Sequence, residues 1–484
     1  MGYIKGSHRG QGLLLPQIID DYVAANNAVR AIAAFLERLD FAQLGFERAE
    51  AAATGRPGYD PRILMGLYLW GHLNGVCSSR KLARECHRNL EVIWLCERLH
   101  PDFKTIADFR TRNAVGIKGV VTEFRRWCLA AGLYGKEVVA VDGSKFKAVN
   151  SKQRNYTRAK LQQILARERV KIAEYLAAMD AADAAEAEEE ETALTAEQLK
   201  EKIAGLERYL AEREQLAREL DESGESQVSL TDPDAKLMKT AHGSEVSYNV
   251  QTVVDSKLKL LVTYAVTNAL NDQGQLAVMG QAARDALAVA ELTVLADGGY
   301  YESKVLKECE EKKLITYLPP PRSGAAKGRG VFPNSQFRYD SERDLYRCPE
   351  AEELEWHGVT EKKGKQYKIY TTKACAGCAV RAQCTTSKYG RRILRWVDQE
   401  TVERLQARNR AQPQLLKLRK NLAEHPFGTI KGSMNQGRFL LKGMHKVSIE
   451  FGLSVLAYNF KRVLNHLGVE RILYFMNNPE LCAA

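Results

Sequence analysis

The fold class is decided by residues 137–144, which read EVVAVDGS. The apolar, β-branched run predicts a buried strand, and Asp142-Gly143-Ser144 predicts the turn that ends it. We expect residues 145–150 to pair back as a second strand. The pattern returns at residues 292–299, which read LTVLADGG and place Asp297 after a second buried strand. Because glycine follows each aspartate, a ligand has room to approach the backbone at both strand ends.

The segments around these two strands occur in a definite order. Strand patterns at 246–254 and 258–266 precede a helix that runs from 274 to about 290, and after Asp297 come a helix at 303–312 and a strand at 314–318. A late helical region from 400 to 467 carries Glu424. This is the order of a ribonuclease H-like α/β core, a mixed sheet flanked by helices, in which three distant acids converge on one edge of the sheet.

We divide the chain into a helical N-terminal domain, a core in three pieces and two insertions. At 484 residues the chain is too long for one ordinary domain. The expected segments are 1–134 (helical N-terminal domain), 135–156, 225–321 and 399–484 (core), 157–224 (helical hairpin or coiled coil) and 322–398 (cysteine-containing insertion). The hairpin is predicted from its richness in Ala, Glu, Lys, Leu and Arg, with a break around 180–191.

The N-terminal domain has the features of a DNA-binding region. Short helices separated by tight turns, with Arg110, Arg112 and Lys118 on a third helix from about Thr105, favour a helix-turn-helix-like arrangement. An all-helical packing domain with a solvated basic face is the alternative.

The charge balance favours a polyanionic partner. The net charge is +11 and the pI about 9.0, and phosphate contacts dominate the affinity of proteins for nucleic acids. No run approaches 18 clean apolar residues, and the start of the chain lacks the layout of a signal peptide, so we expect a cytoplasmic protein with no membrane partner.

Asp142, Asp297 and Glu424 are the candidate catalytic residues and metal ligands. Carboxylates without good His or Cys partners suit Mg²⁺ or Mn²⁺, and two such ions aid in-line cleavage of a phosphodiester. Taken singly, an aspartate after a strand is more often a turn or helix-capping residue. Lys431 lies seven residues after Glu424, almost two helical turns, so we expect the two side chains to share a face.

Four cysteines form a separate candidate site. Cys375 and Cys378 make a C-x2-C pair, with Cys384 after it and Cys348 before it, a set that suits structural zinc. The alternatives are reduced thiols in a small insertion or a redox-labile pair.

Several local sequences resemble bacterial insertion-sequence transposases of the DDE class. The branch is the one named after the eleven-eighty-two element, within the insertion-sequence-five and -four grouping. The segments that carry the resemblance are 141–148 (VDGSKFKA), 229–235 (SLTDPDA), 248–251 (YNVQ), 296–301 (ADGGYY), 424–431 (EHPFGTIK), 438–441 (RFLL) and 456–462 (LAYNFKR). Departures occur at Lys417 and Lys420, where the family pattern has Tyr and Arg, and at Gly298, where a basic residue is commoner.

The resemblance implies a magnesium-dependent transposase with a ribonuclease H-like catalytic domain. In that interpretation Asp142, Asp297 and Glu424 hold two Mg²⁺ or Mn²⁺ ions. The residues expected to contact DNA are Lys431, Arg419, Lys420, Lys145 and Arg438. The partners are double-stranded DNA of the transposon ends and the target, bound by a homodimer in the bacterial cytoplasm at the nucleoid. A DNA-binding repressor derived from a transposase, or a nuclease of the same fold that never joins DNA, remain as alternatives.

Overall fold

The secondary structure is that of a mixed α/β protein with a helical N-terminal region. A computed structural model describes residues 18–50, 58–184, 196–240, 243–320, 331–362 and 364–478. The predicted turn at 55–61 and break at 180–191 lie partly outside these residues. None of the described helices is both long and apolar enough to cross a membrane.

The helices occur in three groups. The N-terminal group comprises α1 (Ala28–Glu37), α2 (Pro61–Leu73), α3 (Ser79–Glu85), α4 (Leu90–Leu95), α5 (Phe103–Arg112) and α6 (Ala114–Ala130); the middle group comprises α7 (Arg158–Ala184), α8 (Ala196–Glu222), α9 (Gln275–Leu287) and α10 (Ser303–Glu311); the last comprises α11 (Arg381–Cys384), α12 (Gln399–Ala411), α13 (Pro413–Gly428) and α14 (Met444–Asn477).

The strands form two larger sheets and a short pair. They are β1 (Val138–Lys147), β2 (Asn155–Thr157), β3 (Gln227–Ser229), β4 (Lys236–Thr240), β5 (Gly243–Asp255), β6 (Leu261–Thr267), β7 (Leu292–Leu295), β8 (Leu314–Tyr317), β9 (Arg338–Asp340), β10 (Leu345–Arg347), β11 (Glu353–Lys362), β12 (Lys365–Thr371) and β13 (Ile393–Trp396). The main sheet has the order β4-β5-β1-β7-β8, with β6 also on β5. The second sheet runs β13-β12-β11-β10-β9, and β2 pairs with β3.

The main sheet is mixed, and β1 lies inside it. β1 is antiparallel to β5 and parallel to β7, which is parallel to β8. Its residues Val139, Ala140 and Val141 are fully buried. β-Branched residues on both faces suit a strand covered on both sides, as the sequence predicted.

The predicted turn after Asp142 is wrong. β1 continues without interruption through Asp142 and Gly143 to Lys147, and residues 145–147 belong to this same strand rather than to a second one. The reason is tertiary: β5 supplies a partner for every residue of β1 from Val139 to Lys147. A DGS sequence commonly forms a turn in isolation, but a long antiparallel neighbour satisfies its backbone groups in the extended form.

Gly143 fits the strand because it has no side chain. A Cβ there would lie 2.4 Å from Nε2 of Gln251 and 2.6 Å from Oδ1 of Asp272. The side chains of Gln251 and Asp272 therefore fill the space beside Gly143 in which we expected a ligand to approach the backbone.

The N-terminal helices and the main sheet share one core, which α14 connects. Phe460 of α14 packs against Phe35 and Phe124, with ring centroids 6.2 and 5.2 Å away. Asn459 accepts a hydrogen bond from the backbone N–H of Leu261 and donates one to its carbonyl, so its amide extends the edge of β6.

The basic third helix differs from its prediction. It is α5, and Lys118 lies in the following helix, α6. Arg110 is buried over the ring of Tyr68, close to the carboxylate of Glu450, so this arginine packs the core instead of lining a basic surface.

Replacing Gly143 with alanine tests the packing around β1. The added methyl group must push apart Gln251 and Asp272, which a hydrogen bond holds together, so we expect a loss of about 1–3 kcal/mol in the free energy of unfolding. Urea unfolding measures it. The control is Gly205→Ala on α8, where nothing lies within 4 Å and alanine stabilises by about 0.5–1 kcal/mol. Equal stability of Gly143→Ala and the parent would contradict the close packing.

Candidate active site

Asp142 on β1 and Asp297, two residues past the end of the parallel neighbour β7, share one arginine. Ala140 pairs with Leu295, and the same two-residue step along both chains leads to Asp142 and Asp297. Nη2 of Arg419, on α13, lies 2.6 Å from Oδ1 of Asp142 and 3.5 Å from Oδ2 of Asp297. The structure therefore brings two of the three predicted acids to one cation.

The face of the sheet that bears Asp142 is covered by α13. Ala140 and Leu295 pack with Leu422 and Ala423 of that helix in one buried cluster. Because side chains alternate along a strand, Asp142 points to the same side as Ala140. Packing of α13 on this face holds Arg419 over the aspartates.

Burial is the largest influence on the pKa of Asp142. Loss of water around the carboxylate raises the pKa of Asp142 to about 6, while Arg419 opposes the rise and Asp297 adds to it. A carboxylate that is costly to ionise and faces a second one fits the binding of a cation. The donors are hard oxygens, which are the ligands that Mg²⁺ and Mn²⁺ prefer.

The opposite face of β1 holds a polar network that sequence reasoning missed. Oδ1 of Asp272 accepts hydrogen bonds from Gln251 (2.7 Å) and Asn249 (2.8 Å), and Lys145 lies 3.5 Å from it. Tyr300 donates its hydroxyl to Gln251. The signal in the sequence was two amide residues, Asn249 and Gln251, at alternating positions of β5.

This network fixes the turn that carries the second aspartate. Oδ1 of Asp297 accepts the N–H of Gly299 (2.8 Å), which caps the short helical turn Gly298–Tyr300. The hydroxyl of Tyr300 then donates a hydrogen bond to Gln251 of β5, which is fully buried. Asp142 and Asp297 thus rest on one hydrogen-bonded support.

Glu424 does not join the two aspartates. It is exposed near the end of α13, in a surface groove with Lys417, Lys420, Asn421 and His425. It lies inside α13, within the late helical region that the sequence predicted. Across the described ranges, no group of three or more His, Cys, Asp or Glu side chains is placed to hold a metal ion. Residues five apart on a helix point about 140° apart, so Arg419 and Glu424 face different ways.

Lys431 contacts β1, away from Glu424. Its Nζ donates to Oγ of Ser144 (2.7 Å) and to the carbonyl of Lys145 (2.8 Å), and it lies 4.4 Å from the ring centre of Phe146. Burial lowers the pKa of Lys431. The two side chains therefore do not share a face as predicted.

The helix geometry explains this difference. Pro426 inside α13 has no N–H to continue the helical bonds, and the chain passes into a π turn at Thr429–Ser433. The wider turn changes the angular phase between Glu424 and Lys431.

The other basic residues predicted to bind DNA lie on two sides of the site. Lys420 is exposed beside Glu424, and Lys145 is half-buried against Asp272. The backbone of Arg438 forms a β-bridge with Lys147 at the end of β1. Arg438 also lines a cavity of about 580 Å³ together with Lys81 and Lys431. Cations thus extend from the aspartates along β1 toward the N-terminal helices.

All four predicted cysteines line a single cavity of about 30 Å³ in the second sheet. None of them is in a disulfide. This site is separate from the aspartates.

The pH dependence of stability tests the burial of Asp142. Its folded pKa of about 6 is above the usual value of 3.8, so ionisation costs stability as pH rises from 4 through 6. We expect Asp142→Asn to stabilise the metal-free protein by about 2–3 kcal/mol at pH 8 and little at pH 4. Urea unfolding in EDTA measures this, with Asp285→Asn, at an exposed position, as the control. A gain that is the same at both pH values would contradict it.

Two segments of the chain match family models of transposase domains. Residues 347–464 match the family model described as a transposase DDE domain, and residues 17–112 match one described as a transposase domain (DUF772). The first match contains Glu424 and begins after Asp142 and Asp297. No curated protein matches the chain. The cryo-EM structure of a piggyBac transposase synaptic complex with hairpin DNA aligns with 10% identity and a TM-score of 0.34, over 94% of this chain and 79% of that one. The chain is therefore similar to transposases in two separate segments, which together span less than half of its 484 residues.

Proposed function

We propose that the protein binds the ends of its insertion sequence, hydrolyses phosphodiester bonds with two divalent metal ions and joins the freed 3′-hydroxyl to target DNA. The observation that carries the proposal is the meeting of Asp142 and Asp297 at one guanidinium group. Asp142 lies on β1, and Asp297 follows the end of the parallel neighbour β7. We interpret the main sheet and its helices as a ribonuclease H-like core.

Asp142 and Asp297 would hold Mg²⁺ or Mn²⁺, with Glu424 as the third acid. Bound metal would stabilise negative charge on the attacking and leaving oxygens. The positively charged guanidinium of Arg419 already contacts both aspartates, so this pair of carboxylates suits a cation. Glu424 would join them by a movement of α13, for which Pro426 and the π turn are a natural hinge.

The basic residues would bind and orient the DNA strand. Arg419, released from the aspartates, and Lys431, beside Ser144, would contact phosphates next to the bond that is cut. Lys420, Lys145 and Arg438 would extend the contacts along the backbone. Arginine suits this role because its planar group binds phosphate oxygens in pairs.

The DNA-joining assay tests the proposal. We expect the parent protein with Mg²⁺ to cleave and join DNA carrying the element's ends. Asp142→Asn, Asp297→Asn and Glu424→Gln should each lower the rate at least about 100-fold, because each replaces a carboxylate that would hold the metal ions. Gel-shift binding should persist in all three. Asp285→Asn is the matched control.

Three outcomes distinguish the alternatives. Parent-like cleavage by Glu424→Gln would show that this glutamate is a surface residue and that the third acid lies elsewhere. Binding without cleavage by the parent, with Mn²⁺ also tried, would support a DNA-binding repressor, for which the exposed position of Glu424 is the favouring observation. Cleavage without joining would identify a nuclease.

We further propose that α7 and α8 form the dimer contact on DNA. The two helices are antiparallel, joined by the ion pairs Arg169–Glu214 and Arg158–Asp221. They rise from the short β2–β3 pair and have a small core of their own, made of Tyr156, Leu161, Leu216 and Leu220.

Removal of residues 158–222, with a short glycine linker closing the β2–β3 pair, tests the dimer contact. Because the hairpin has its own core, we expect the rest to fold and the DNA-bound mass, measured by light scattering after gel filtration, to fall from two chains to one. An unchanged dimer would rule out the hairpin contact.

A further inference from the structure

The second sheet brings four thiols together from three separate turns. Cys348 follows β10, Cys375 and Cys378 lie in and just after the helical turn Lys373–Ala376, and Cys384 ends α11. All four line the same cavity of about 30 Å³, a volume suited to an ion and too small for an organic cofactor. The candidate catalytic aspartates take no part in this cavity, so its role is independent of the DNA chemistry.

Two arginines, Arg381 and Arg391, share the cavity with the four thiols. Two guanidinium groups beside four sulfurs offset part of the negative charge that a set of thiolates would carry.

The backbone of each turn is held in place. The N–H of Cys348 donates to the carbonyl of Glu352 (2.9 Å), and the N–H of Arg381 donates to the carbonyl of Cys378 (3.2 Å). Gly390 has a φ of +85°, and a Cβ on it would lie 2.9 Å from Cβ of Cys375. The loop at Gly390 therefore presses directly on one of the cysteines, which only glycine permits.

The apolar core of this sheet is small. Its buried members are Phe337, Tyr346, Leu354, Tyr370, Cys384 and Ile393. A unit with so few core residues gains much from a cross-link, and a structural metal is one way in which small domains obtain it.

We propose that Cys348, Cys375, Cys378 and Cys384 together bind one structural zinc ion. Four sulfur ligands with one C-x2-C pair match the donor set and closed tetrahedral coordination of structural zinc. The sulfurs do not already stand in coordinating positions, since none of the described residues form a group of three metal ligands. Binding would therefore require the cysteine side chains to rotate about χ1, which moves a sulfur between staggered positions without moving its backbone.

The zinc content of the full chain, purified without chelator or DNA, tests the proposal. We expect about one zinc per chain by elemental mass spectrometry. Zinc should be lost from a Cys375→Ser/Cys378→Ser double variant and retained by Cys77→Ser, whose half-buried thiol lies outside the second sheet. Removal of zinc and addition of Co²⁺ to the parent should give the absorption of cobalt bound by thiolates, a readout that needs no variant to fold.

Two results would overturn the proposal. One is a parent protein that contains no zinc and gives no cobalt–thiolate absorption. The other is a mass lowered by two hydrogens on a peptide containing Cys375 and Cys378, which would identify a disulfide. Neither depends on cleavage of DNA, so failure of the zinc site and failure of the proposed transposase activity are distinguishable.

Discussion

The pairing of β1 with β5 on one side and β7 on the other is the constraint on which the rest depends. The parallel pairing with β7 brings Asp142 beside Asp297, although 154 positions separate them in the sequence. The antiparallel pairing with β5 keeps the strand extended through Gly143. Without both neighbours the DGS sequence would be free to turn, and the two carboxylates would lose their common support.

The two faces of β1 have different roles: one carries the candidate catalytic residue Asp142, and the other supports the strand through hydrogen bonds. One face carries Asp142 and Ser144, which meet Arg419 and Lys431 from the region of α13. The other face rests on Asp272, Gln251 and their hydrogen bonds, where a fully buried amide is satisfied on both sides. The first face thus meets side chains from α13 and the π turn, whereas buried amides and the carboxylate of Asp272 support the strand from the other face. Buried polar networks of this kind specify one arrangement because each unpaired member would be costly.

The largest difference between the helix predicted from sequence periodicity and the observed structure lies at the end of α13. Periodicity correctly indicated a helical region around Glu424, but it assumed a continuous α-helix as far as Lys431. Pro426 was visible in the sequence, and a proline inside a helix is a sign that the hydrogen-bond ladder changes. The sequence did not reveal that the change would be a π turn, because that depends on how Phe427 and Ile430 are buried against the sheet.

The sequence by itself determined the two buried strands, the helical N-terminal region and the aspartate that follows each apolar run, because hydrophobic period and residue type are local properties. It also singled out the four cysteines by their spacing. Only the tertiary structure decided that β1 runs on past Asp142, that Arg419 and not Glu424 faces the aspartates, and that Arg110 is buried. Each of these depends on which neighbour supplies a hydrogen bond or a counter-charge, and those neighbours are distant in the chain.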